Sequence, residues 1–188
     1  ESHGSSLAHC ARALLSLHHE RSAAALPGVT AAPPRRAPTA GCRRRRGPCR
    51  MTAVPLYLVR HAKAGDRSSW PGEDRVRPLT AKGKEQSDAL AERFAGLGPA
   101  RLLSSPYLRC VQTLEPLAHR WHTAVEATPM LEEGAGFEAV LDALATLPEH
   151  SVLCSHGDVI PDVIGALARR GAELVGAPNW KKASVWVL

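Results

Sequence analysis

From residue 51 onward, short apolar runs alternate with longer segments of helical period. The first run, over 54–59, is too short for a helix and continuous enough for a strand buried on both faces. It ends in Arg60 and His61. A polar loop over 65–79 carries Gly65, Pro71, Gly72 and Pro78. Thr80 is then a good N-cap, and Leu90, Phe94 and Leu97 give the following helix an apolar stripe closed by Gly96 and Gly98. A second strand is predicted over 101–104. Ser105-Pro106 predicts a helix start with Pro at the first helical position, running to about Arg120. A weak strand near Val125, a Gly-containing loop over 129–136 and a helix through Phe137, Val140, Leu141 and Leu144 come next. A strand over 151–154 leads into a helix that starts at Gly157 or Asp158, with Asp158 as its N-cap, and runs to Arg169. The pattern closes with a strand over 185–188.

This alternation predicts an α/β fold, a three-layer α/β/α sandwich around a largely parallel central sheet. In such sheets ligands bind at the carboxyl ends of the strands.

Residues 1–50 break the pattern. They are rich in Ala, Arg, Pro and Ser, and Ala31-Ala32-Pro33-Pro34 forms neither helix nor interior strand. We read them as a disordered leader, with a marginal helix over 7–19, ahead of a domain spanning 51–188. The leader also owns the basicity. It holds nine Arg and two Glu, whereas 51–188 hold 15 basic and 16 acidic residues, so the formal net charge of +6 divides into +7 and −1. Three origins compete for it: translated sequence upstream of a start at Met51, a transit peptide, and a basic tail that binds RNA or anionic lipid. The first ranks highest. The tail ranks last, because no aromatic residues interleave the Arg run for base stacking, so nucleic acid is an unlikely partner. No run of 18 apolar residues exists, which predicts no membrane span. The five cysteines show no C-x-x-C spacing, so the expected compartment is the reducing cytoplasm, or an organelle if the leader is a transit peptide.

The chemistry sits at the strand ends. Arg60-His61 closes the first strand, and Ser155-His156-Gly157 follows the strand over 151–154. A strand-end His bonded to a carbonyl is ordinary, but an Arg beside it is costly to half-bury unless it meets an anion. Phosphate fits, because the guanidinium fork matches two of its oxygens. Arg109 falls in the first turn of the helix after Ser104-Ser105-Pro106, where it can reach back over the strand ends and where helix N–H groups favour anions. Other phosphatase and hydrolase classes fail on spacing. Six residues after the cysteines stand Ser16, Pro48, Pro55, Pro116 and Ile160, never Arg, and neither a G-x-S-x-G elbow nor a P-loop occurs.

Four ordered motifs carry a resemblance: Arg60-His61, Arg77-Pro78-Leu79-Thr80-Ala81-Lys82-Gly83, Ser104 through Thr113, and Ser155-His156-Gly157. Together they resemble the histidine phosphatase superfamily, with its phosphoglycerate mutase-like fold, and within it the small SixA-type branch. The tract from Arg60 to Ile164 is also similar to the phosphatase domain that follows a Nudix domain in some actinobacterial nucleotide hydrolases. The resemblance implies a metal-independent phosphatase without cofactor, acting on phosphohistidine protein or on a small phosphorylated metabolite. It implies His61 as the nucleophile and Arg60, Arg109 and His156 as the phosphate pocket. An L-x-E element in the mutase-like branch matches Leu131-Glu132-Glu133 and makes Glu133 the expected proton donor, with Glu132 the competitor. Lys63, Arg77, Ser105 and Gly157 are the expected substrate contacts. A short domain leaves little chain for a lid, so hydrolysis in an open, shallow cleft is expected rather than a mutase reaction. The alternatives are a non-catalytic phosphate-binding module and a phosphatase directed at nucleotides.

Overall fold

Strands β2 (Tyr57–Arg60), β3 (Leu102–Ser104), β4 (Val125–Ala127) and β5 (Val152–Ser155) pair in parallel in the spatial order β4-β3-β5-β2. The computed structural model describes Arg12–Leu14, residues 55–98 and residues 100–188. Three further strands extend the sheet beyond β2. They are β1 (Arg12–Leu14), β6 (Glu173–Val175) and β7 (Val185–Val187), in the order β2-β7-β1-β6, with β7 antiparallel to β2.

Side chains alternate across each strand and fill two separate cores. Tyr57, Val59, Leu102, Val152 and Cys154 face one layer, where helices α1 (Ala81–Phe94) and α2 (Leu108–Trp121) contribute Leu90, Phe94, Leu114, Leu117 and Trp121. Leu58, Leu103 and Leu153 face the other, against α3 (Glu138–Leu144) and α4 (Val159–Arg169), which supply Val140, Leu141, Val163 and Ile164. The result is the three-layer sandwich with a mostly parallel sheet that the alternation predicts. Among the described residues no helix is long and apolar enough to cross a membrane.

The Arg77–Gly83 motif has a local explanation. Thr80 caps α1, its hydroxyl accepting from Gly83 N at 3.1 Å and donating to Lys63 O at 3.0 Å. Gly83 lets that same carbonyl approach the helix, since a Cβ there would stand 2.0 Å from Lys63 O. The loop after His61 is thus stitched to the helix start. Pro116 lies inside α2 and leaves the Gln112 carbonyl without its helical donor. The Ser87 hydroxyl of α1 stands 2.9 Å from Gln112 O and 2.7 Å from Thr113 O, which supplies the missing donor and binds the two helices.

Some elements differ from expectation. Helix α2 begins at Leu108 and not at Pro106, with Tyr107 at the cap position; the Ser105 hydroxyl accepts from Tyr107 N only at 3.4 Å and stands 2.8 Å from His156 Nε2. Asp158 occupies the cap position of α4 but does not cap it; its carboxylate accepts from Gly134 N at 2.6 Å. Strand β6 was not expected, since three residues between Gly171 and Gly176 carry almost no pattern. Within the expected leader, where a marginal helix is predicted, Arg12–Leu14 is a strand, parallel to β6 and antiparallel to β7. Pairing with a sheet overrides weak local preference there. The other expectations for 1–50, including disorder, and the start at Met51 lie outside the described residues.

Replacing Thr80 by Ala should cost about 1 kcal/mol, the usual value of an N-cap. Gly83→Ala should cost more, about 2–3 kcal/mol, because the obstacle is backbone. Urea unfolding of both variants checks the order.

Candidate active site

The order β3-β5-β2 places three carboxyl ends side by side, and each delivers polar side chains. Strand β2 ends in Arg60 and His61, β3 in Ser104 and Ser105, and β5 in Ser155 and His156. The ring centroids of His61 and His156 lie 5.3 Å apart. Both rings are buried, with 3% and 2% of their surface exposed.

His61 is held in one tautomer. Its Nδ1 stands 2.8 Å from the carbonyl of Ala62, which only accepts, so Nδ1 carries the proton and Nε2 keeps its lone pair. Thr113 of α2 fixes this turn by accepting from Ala62 N at 2.9 Å while donating to Arg109 O at 2.7 Å. Burial, and then the ammonium of Lys182, push the His61 pKa down to about 2. The ring is therefore neutral at any ordinary pH. Lys182 Nζ lies 2.9 Å from His61 Nε2. Burial, followed by the nearby Arg60, lowers the pKa of Lys182 to about 8.

His156 is anchored from the opposite side. Its Nε2 is 2.8 Å from Ser105 Oγ and 3.4 Å from Cys110 Sγ. Its Nδ1 is 3.4 Å from Arg109 Nη2, which can only donate. Tyr107 packs edge-on against the ring at 4.9 Å between centroids and lies under the Arg109 guanidinium at 4.5 Å.

Arg109 is 1% exposed and would be ruinous to bury alone. Its Nη1 donates to Asp74 O at 2.8 Å and pairs with Asp74 Oδ2 at 3.0 Å, and its Nη2 donates to Glu133 Oε2 at 3.0 Å. Arg67 also bridges Asp74 and Glu133, at 2.8 Å to each. Burial alone would raise the Asp74 pKa, but the guanidinium groups of Arg67, Arg77 and Arg109 hold it well below the usual carboxylate range. Arg60 Nη1 donates to the Trp180 carbonyl, and its guanidinium lies over Gly157. The Nε atoms of Arg60 and Arg109 are buried without an acceptor among the described residues. Spare buried Nε donors on two guanidinium groups, that of Arg109 itself buried, beside two imidazoles describe an oxyanion pocket.

The histidine phosphatase superfamily (branch 1) pattern matches residues 56–138, which include Arg60, His61, Arg109 and Glu133. Over that stretch the chain is similar to the histidine phosphatase superfamily. It is 35% identical over 139 residues to an 8-oxo-(d)GTP phosphatase of Mycolicibacterium smegmatis, covering 71% of this chain and 43% of that protein. It thus spans less than half of that curated relative. A SixA structure from Agrobacterium tumefaciens superimposes with a TM-score of 0.52 at 26% identity, covering 60% of this chain and 75% of the other. A SixA structure in complex with tungstate shares the fold at TM-score 0.58 and 24% identity, covering 71% and 86%. These likenesses, with the sheet described above, identify the phosphoglycerate mutase-like fold.

The superfamily motifs meet in space to different degrees. Arg60, His61, Arg109, His156, Ser105 and Gly157 converge. Glu133 reaches Arg109, whereas Glu132 turns to Arg75 at 3.1 Å. Arg77 is committed elsewhere, its Nε on Asp74 Oδ1 at 2.7 Å and its Nη1 on Gly65 O, so it braces the loop. The side chain of Lys63 is exposed, and its backbone serves Thr80 and Gln86. The sequence reading missed Asp74 and Lys182, which sit in a loop and before an edge-side strand without any motif. Lys182 covers Nε2 of His61.

Two measurements test this geometry. The unfolded His61 titrates near 6.5 and the folded one near 2, so the unfolded state binds the extra proton between those values and stability falls as pH falls through that window. Between pH 7 and 5.5 the loss should be about 1 kcal/mol, and His61→Asn should abolish that share in urea titrations. A Cβ on Gly157 would stand 2.4 Å from Arg60 Nη2. Gly157→Ala should therefore displace the guanidinium and weaken orthovanadate binding about tenfold or more, with little change in thermal unfolding.

Proposed function

We propose that this domain is a phosphatase that works through a phosphohistidine on His61, with the positive charge for transfer supplied by side chains and not by a metal. One observation carries the reading: a buried neutral imidazole presents Nε2 to the space that the second histidine and a buried arginine also line. Phosphoryl transfer asks a protein mainly for positioning and for charge on the equatorial oxygens. In the first step the Nε2 lone pair forms an N–P bond while the P–O bond to the leaving group breaks, its electron pair going to the leaving oxygen. Arg60 and Arg109 bind the phosphoryl oxygens, and the His156 ring beside Arg109 completes the phosphate pocket.

Glu133 is the proton donor in this reading. Its Oε2 accepts from Arg67 and Arg109. A phosphoryl group that takes over Arg109 releases the carboxylate from one of these donors, so it can carry a proton to the leaving oxygen. Water then attacks phosphorus, gives its proton to Glu133, and the N–P pair returns to Nε2.

Two substrate classes have support. The M. smegmatis relative is named for 8-oxo-(d)GTP, which favours a nucleotide. The SixA structures from Agrobacterium tumefaciens and from Nakamurella, each 26% identical, are named as phosphohistidine phosphatases, which favours a phosphoprotein. The exposed Lys63 would contact the remainder of either substrate. The free buried thiols of Cys110 and Cys154 fit the cytoplasm.

Hydrolysis of p-nitrophenyl phosphate in EDTA, by wild type and His61→Ala, is the test. We expect the variant to lose at least about a thousandfold and to form no acid-labile phosphoenzyme. Equal rates would leave only a phosphate-binding module. A panel of phosphohistidine protein, nucleotides and sugar phosphates assigns the substrate.

A further inference from the structure

Lys182 belongs to none of the motifs that mark this superfamily in the chain, yet its Nζ lies 2.9 Å from the atom that must attack phosphorus. A donor at that distance occupies the lone pair of Nε2, and in-line attack needs the same lone pair. Ammonium and phosphorus cannot share that position, so Lys182 must leave Nε2 when a phosphoryl group arrives. Its new neighbours would then be the oxygens of that group.

The backbone delivers this side chain deliberately. Ala183 N donates to Arg60 O at 3.1 Å and to His61 O at 3.3 Å, and Arg60 N donates to Ser184 O at 3.0 Å. Ala183 holds φ at 60°, a left-handed conformation that favours glycine. The segment carrying Lys182 is therefore clamped to the very residues that carry the nucleophile. An accidental surface lysine has no such anchorage, and it keeps its ammonium in water.

We propose that Lys182 is a catalytic residue: its ammonium caps His61 Nε2 before substrate arrives and passes to an equatorial oxygen of the transferring phosphoryl group. The inference rests on the phosphatase reading given above. The covalent step is unchanged by it. The N–P bond forms as the P–O bond breaks, the leaving oxygen takes its proton from Glu133, and Lys182 keeps its protons throughout. Its part is electrostatic: it opposes premature protonation of His61 before substrate arrives, then neutralises charge during transfer.

The charged and titratable groups facing Lys182 are Arg60 and His61 at the end of β2, Arg77 in the loop after it, and Arg109 and Cys110 on α2. Burial, and then the surrounding guanidinium groups, favour loss of the lysine proton near pH 8. The ammonium is then absent from the free enzyme on the alkaline side, and kcat/KM should fall as pH rises through that value.

The experiment compares wild type, Lys182→Met, Lys182→Arg and His61→Ala in p-nitrophenyl phosphate hydrolysis across pH 6–10, with thermal unfolding of each. Lys182→Met should lower kcat by about a hundredfold, with a smaller change in KM, and weaken orthovanadate binding in parallel. Lys182→Arg should keep activity within about tenfold of wild type and lose the alkaline limb near pH 8, because a guanidinium does not titrate there. A folded Lys182→Met within about twofold of wild-type kcat overturns the proposal, as does an alkaline limb unmoved in Lys182→Arg. An inactive His61→Ala beside an active Lys182→Met condemns the lysine alone. His61→Ala as active as wild type condemns the phosphatase reading and the lysine with it.

Discussion

The register between β2 and β5 is the constraint on which the site depends. Arg60 stands opposite Ser155 in a parallel pair, so His61 and His156, each the next residue, leave the sheet at the same height. His61 N donates to Ser155 O at 3.0 Å and locks that height. A slip of one residue would turn Leu58 and Val59 to the wrong cores and separate the two rings at once. The pairing energy of the sheet and the packing of both cores therefore act directly on the 5.3 Å between the imidazoles.

Charge balance is the second constraint, and it works against the first. Buried strand ends suit apolar groups, but here they hold Arg109 at 1% exposure. Asp74 and Glu133 neutralise it. Those carboxylates sit in loops, Asp74 in a 3-10 turn braced by Arg67 and Arg77 and Glu133 beside the Pro129–Leu131 turn. The pocket is thus an ion-pair network around Arg109 with two guanidinium Nε donors left over, rather than a bare cationic hole. An incoming dianion competes with Asp74 and Glu133 for Arg109, which limits non-specific anion binding. The same exchange would free Glu133 from Arg109, so the stability of this network and its affinity for an anion are set by one set of contacts.

The legible parts of the sequence were those with period or with chemistry at an element boundary. Leu58, Val59, Leu153 and Cys154 announced strands, and the residues after them announced the site. Thr80 and Gly83 read correctly because an N-cap is a local device. Ser105 read as a cap for the same local reason, yet the helix begins at Leu108 and the Ser105 hydroxyl meets His156, 51 positions away. Asp74 looked like any acidic loop residue. Its role exists only after α2 brings Arg109 to it. Strand β6 and strand β1 are three residues each and take their conformation from pairing, which no local pattern encodes.

Lys182 was illegible for a topological reason. In a purely parallel sheet, the residues before a strand lie at the rim opposite the active site. Strand β7 runs antiparallel to β2, with Val185 opposite Val59 and Val187 opposite Tyr57. Reversal brings the residues that precede β7 to the carboxyl end of β2. That is why Ala183 and Ser184 can bond the Arg60 and His61 backbone, and why the lysine one position earlier meets the His61 ring. One reversed strand thus lets the chain reach the pocket from a direction that the βα units do not use. The left-handed Ala183 is the cost of turning the chain sharply enough to do so.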